Sequence, residues 1–155
     1  MVARTGPSGA AFATDDDLRA RWRAAATSAG LSATGGALSA SAGMLRTVQD
    51  KQALRRASGA VAVDMESHAV AAVADAASVP FAAVRAIADP AHRPLPRAVI
   101  GIIRPDGLPD VDRLILRLCA RPWEIPTLFR LRRDADAALA SLGRLVRGFG
   151  AAGFL

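Results

Sequence analysis

Residues 60–89 read AVAVDMESHAVAAVADAASVPFAAVRAIAD, and the alternation of patterns along this run decides the fold. Ala60 to Val63 is a short apolar run with β-branched residues at alternate positions, the signature of a strand. Met65 to Ala77 then places Val70, Val73, Ala74 and Ala77 at helical spacing. Pro80 ends that helix, and Phe81 to Ala88 forms a second apolar run that closes at Asp89. A strand, a helix and a second strand predict a βαβ unit with parallel strands and a right-handed crossover. Parallel strands finish on the same edge of a sheet, where α/β folds hold their ligands. Asp64, Met65 and Glu66 follow the first strand and Asp89 follows the second, so the Glu66 and Asp89 carboxylates are expected at one crevice. Arg85, on the strand face opposite Ala86 and Ala88, is expected in an ion pair.

Outward from this unit the signals are those of helices and turns. Thr14 reads as an N-cap ahead of the acidic first turn Asp15 to Asp17, opening a helix through Trp22 to about Ser28, before Gly30. Small residues fill 31–43, predicting a short strand and a loop. Asp50 is expected to cap a short helix, KQALRRA, closed by Gly59. Beyond Asp89, the segment HRPLP is a loop, and residues 98–103 (AVIGII) suit a strand or a short helix. RPDGLP at 104–109 is turn-like. Asp110 is expected to cap a helix through Cys119, RPWEIP interrupts it, and 127–149 reads as one or two amphipathic helices. With 155 residues the chain is long enough for one domain with its own core, here of α/β class.

Every basic residue but Lys51 is arginine, and the formal net charge is +6. That balance suits an anionic partner such as nucleic acid, anionic lipid or a phosphate-bearing substrate. A GC-rich coding sequence yields the same arginine and alanine bias with no functional demand. Cys119 stands alone, which excludes an internal disulfide and a cysteine-built metal site. His68 and His92 are too sparse for a metal centre, and His68 is expected to face solvent. Thr5 to Gly9 lacks the lysine and spacing of a phosphate loop. Residues 1–13 lack the continuous apolar stretch of a signal peptide, and no window approaches the roughly 18 apolar residues of a membrane span. A cytoplasmic protein is expected, or one peripheral to a membrane surface.

The pairing of VDMES at 63–67 with VPFAAVRAIAD at 79–89 resembles the purine nucleoside phosphorylase and methylthioadenosine nucleosidase superfamily. The resemblance implies a mixed sheet of the phosphorylase/hydrolase-like kind and cleavage of an N-glycosidic bond. In those proteins the methionine packs against the ribose, the adjacent glutamate binds the ribose hydroxyls, and the closing aspartate donates a proton toward N7 of the purine. These roles fall on Met65, Glu66 and Asp89. The chemistry suits the residue types, since the sugar becomes cationic and the departing base anionic. Burial beside Phe81, Val84 and Ile87 is the expected means of keeping Asp89 in its acid form. Two positions depart from the family: Ala88 stands where a serine accompanies the aspartate, and the loop 41–46 (SAGMLR) has no aromatic for the base.

VDMESH and the tail PDGLPD through RPWEIPTLFRL look most like the hopanoid-associated phosphorylases of bacteria. That likeness implies adenosylhopane as substrate, with adenine and a ribosyl hopane as products. It implies no cofactor beyond phosphate as a possible co-substrate, with water as the alternative nucleophile, and neither a metal nor nucleic acid. The superfamily's habit implies a homo-oligomer. From Arg104 onward nine arginines stand against six acids, interleaved with Trp123, Ile125, Leu128, Phe129 and Leu131. Such a basic amphipathic segment, from about residue 123, suits an anionic membrane surface. A helix docked on its own domain with solvated arginines has the same pattern. The glycine-bearing first strand and phosphate- or water-handling residues that usually precede these motifs are not visible in the sequence. A chain truncated at its N-terminus is therefore expected, and with it a competing reading: a non-catalytic remnant that binds a nucleoside or a membrane.

Overall fold

The computed structural model describes residues 3–4, 11–104, 106 and 108–151, so the stretch from Thr5 to Gly9 lies outside the described residues. A four-stranded sheet has the order β2-β1-β3-β4, built from β1 (Ala3–Arg4), β2 (Ala11–Phe12), β3 (Leu38–Ala40) and β4 (Ala62–Asp64). β1 pairs antiparallel with β2 and parallel with β3, and β3 pairs parallel with β4 in the register Leu38 to Ala62. Helices flank it: α1 (Asp16–Ser28), α2 (Val48–Ser58), α3 (Ser67–Ala76), α4 (Val111–Ala120) and α5 (Ile125–Ala151). The mixed α/β class expected from the sequence is the observed one.

The parallel crossover lies one element earlier than predicted. It is β3–α2–β4, because β4 pairs with β3, whereas Phe81 to Ala88 joins no strand among the described residues. The apolar character of 81–88 has a different cause. Val84 packs against the cluster of Ala25, Ala26, Leu145 and Phe149, between α1 and α5. The Phe81 carbonyl accepts from the Asp15 amide at 2.8 Å, which ties the segment to the start of α1. Ile87 in the same run is exposed, so the apolar pattern marks neither a strand nor a fully covered segment.

Local signals place most helix ends. Asp15, in extended conformation, caps α1 by accepting from the Leu18 amide at 2.8 Å, one residue beyond the predicted Thr14. α2 starts at Thr47, which accepts from the Asp50 amide while the Asp50 carboxylate accepts from the Thr47 amide. Asp50 is thus the third residue of a capping box and not the cap itself. Gly59, at φ +68°, closes α2 in the left-handed region where other residues are strained. Asp110 caps α4 as predicted, accepting from the Arg113 amide at 2.9 Å.

In α3 the buried face carries Ser67 and Ala71, while Val70 and Val73 are exposed, so the bulky apolar spacing marks the outer side of the helix. Residues 98–103 resolve as the end of a 3-10 turn (Arg97–Val99) and a bridge from Ile103 to Pro109 that closes the predicted turn. RPWEIP forms a second 3-10 turn, Pro122–Glu124. The tail is one helix, α5, whose far end docks on α1 with the Phe149 ring stacked on Trp22 at 3.8 Å between centroids. The second 3-10 turn and the near end of α5 leave Trp123 and Phe129 exposed. Among the described residues no helix is long and apolar enough to cross a membrane.

Candidate active site

β4 delivers Asp64 to the C-terminal edge of the sheet, where α3 begins. Its side chain is 7% exposed, and its carboxylate accepts from the Ser67 amide at 3.1 Å and from the Ser67 hydroxyl. An acid so enclosed requires a counter-charge. Arg85 supplies it, through an ion pair between one guanidinium nitrogen and the Asp64 carboxylate. The same nitrogen donates to Glu66 Oε2 and to the Ser67 hydroxyl, both at 3.2 Å. The ion pair expected of Arg85 is therefore present, and it joins the 84–89 run to the 62–67 run.

Glu66 occupies the N-cap position of α3 without making a side-chain cap. Its Oε2 is taken by Arg85 and, at 3.4 Å, by the Met65 amide. Oε1 accepts no bond among the described residues, and the side chain is 63% exposed. Met65 is 55% exposed beside it. Both are therefore available at the rim of the junction, not sealed in the core.

Asp89 is held differently from the sequence expectation. Its Oδ1 accepts from the Lys51 ammonium at 2.7 Å, while Ile87 is exposed, so a cation on α2 and not an apolar wall is its partner. Pattern reading overlooked Lys51. The one available signal was compositional, because a lone lysine in an arginine-rich chain stands out. His68 also departs from expectation: it is half-buried against the Phe12 ring, 5.5 Å between centroids, instead of facing solvent.

Backbone bonds gather these pieces. The Ser41 amide donates to the Asp64 carbonyl at 2.8 Å, and the Leu95 amide donates to the Arg46 carbonyl at 3.0 Å. Loop 41–46, the β4–α3 junction and the segment from Arg85 to Leu95 are thereby linked around the C-terminal ends of β3 and β4, the ligand-binding edge of parallel sheets. Carboxylates with one oxygen committed and the other open, at Glu66 and Asp89, can anchor hydroxyls or exchange a proton.

Residues 4–118 match the model of the phosphorylase superfamily, and the chain belongs to that family. Its chemistry is cleavage of the glycosidic bond of nucleosides, and an enzyme of that kind is what the match supports. The matched region runs from β1 into α4 and contains Asp64, Glu66, Arg85 and Asp89. No curated protein matches the chain.

Proposed function

We propose that this protein cleaves the N-glycosidic bond of an adenine nucleoside, with Asp89 as proton donor to the base, Glu66 as anchor of the ribose hydroxyls and Met65 as the surface under the sugar. The C1′–N9 bond breaks with its electrons leaving on the base. N7 takes a proton from Asp89, and phosphate or water forms the new bond to C1′. Glu66 strengthens its hold as the sugar becomes cationic, because a carboxylate attracts developing positive charge. The observation that carries this reading is Arg85, a member of one motif, bonded to Glu66 in the other. Membership of the phosphorylase superfamily supports the same bond as the target.

Adenosylhopane is the substrate we favour within that class. Support comes from the exposed Leu116, Trp123 and Phe129 near the α4–α5 corner, beside exposed arginines such as Arg132. A lipid-linked nucleoside presents its head at a membrane, where such a surface rests. The test is adenine release from adenosine and from adenosylhopane, with and without phosphate, by the wild type and Asp89→Asn. Asp89→Asn is expected to slow release by about two to four orders of magnitude. Unchanged turnover in that variant removes Asp89 from the mechanism, and a wild type that releases no adenine from either substrate ends the proposal.

A further inference from the structure

Lys51 projects from the first half of α2 with its side chain 8% exposed, an unusual burial for a lysine. An ammonium has three N–H donors, and this one meets three acceptors: Asp89 Oδ1 at 2.7 Å, the Arg93 carbonyl at 2.8 Å and the Pro90 carbonyl at 3.3 Å. All three lie on the segment 89–93 that follows the VRAIAD run. Arg93 is itself fixed, through an ion pair with Asp134 on α5 at 2.7 Å. The aspartate and the loop behind it are thus held from α2 and from α5. Asp89 Oδ2 accepts no bond among the described residues.

We infer that Lys51 is the positioning residue for Asp89, and the inference rests on the role given to Asp89 above. Because the ammonium donates to Oδ1, the acid form of Asp89 carries its proton on Oδ2, the oxygen that accepts no bond among the described residues. Clamping the two carbonyls fixes the direction in which that proton points. Once the proton has passed to the base, the carboxylate left behind still faces the ammonium, which balances its charge. The bonds to Oδ1, Pro90 and Arg93 do not change during the transfer, so the clamp requires no rearrangement. A lysine is needed because its compact tetrahedral nitrogen reaches three convergent acceptors. A planar guanidinium at the end of a longer side chain does not match that geometry, which explains one lysine in a chain that otherwise uses arginine.

The experiment compares steady-state adenine release from adenosine by the full-length wild type, Lys51→Met, Lys51→Arg, Asp89→Asn and the Lys51→Met/Asp89→Asn double variant, alongside thermal melting. Lys51→Met is expected to lower kcat by about 10- to 100-fold, part of the whole worth of the acid, with KM changed by less than about threefold. The double variant is expected to be no slower than Asp89→Asn alone, because residues that act through one another are not additive. Lys51→Arg, which keeps the charge, is expected to fold with a lowered melting temperature and to remain slow, and it carries the test if Lys51→Met does not fold. A slow Asp89→Asn beside a Lys51→Met or Lys51→Arg variant at wild-type kcat overturns the role of Lys51 alone. Full additivity in the double variant does the same. Wild-type turnover in Asp89→Asn overturns the role of Asp89, and with it that of Lys51.

Discussion

The Arg85 guanidinium lies 3.2 Å from Glu66 Oε2 while also engaging the enclosed Asp64, so one side chain holds two acids of the neighbouring motif. Arg85→Ala leaves Asp64 with only the Ser67 donors. The expected loss of stability is about 1–3 kcal/mol, near the lower end because Arg85 is more than a third exposed. Urea unfolding of the variant measures it. Arg85→Lys is expected to recover only part, since a point charge does not replace a fork of donors. A variant as stable as the wild type contradicts the enclosure of Asp64.

Glu66 presents Oε1 at an exposed rim, and its proposed task is to accept from ribose hydroxyls. Glu66→Gln removes the charge and keeps the shape. If the wild type prefers adenosine to 2′-deoxyadenosine, that preference in kcat/KM should fall by about tenfold, the worth of a charge-assisted hydrogen bond over a neutral one. Identical preference in wild type and variant would place Glu66 away from the 2′-hydroxyl.

The Asp50 carboxylate is held below its usual range, first by its hydrogen bond with the Thr47 side chain and then by that with the Thr47 backbone. The bonded form is the ionised one, so its contribution to folding is complete above the ordinary value of 3.8 and is lost as pH falls through the lower folded value. Acid unfolding of the wild type should therefore include a component below about pH 4 that Asp50→Asn lacks. Helicity followed by circular dichroism against pH checks this. Superimposable acid limbs for the two proteins would count against the capping box.

Phe149, 4% exposed, seals the α1–α5 contact by stacking on Trp22. Phe149→Ala should destabilise the protein by about 3–5 kcal/mol. Trp22 fluorescence should shift to the red as its ring meets water, against a constant background from Trp123, which is exposed already. Emission unchanged in the folded variant would mean the far end of α5 docks elsewhere.

Much of the local architecture was legible because it depends on neighbours a few residues apart. Asp110 caps a helix whose third amide it reaches, and Gly59 closes one by adopting a conformation that few other residues tolerate. The shifts at Thr14 and Asp50 are small for the same reason: two candidate caps stand within one turn, and backbone geometry selects between them. The VDMES and VRAIAD motifs were legible as the mark of the phosphorylase superfamily, and Arg85 as an ion pair, because an arginine in an apolar run needs a partner.

Which partner each group takes was decided only by the tertiary structure. Phe81 to Ala88 has the pattern of a strand, yet Val84 packs against α1 and α5, Ile87 is exposed, and the backbone joins no strand among the described residues. The sequence surrounded Asp89 with apolar neighbours, yet the partner Asp89 takes is the Lys51 ammonium, 38 residues earlier, on a short helix to which pattern reading gave no part in the site. The physical reason is common to both. Periodicity and capping are short-range effects, whereas cover and counter-charge come from whichever elements the chain packs together, and that choice is settled by the whole core at once.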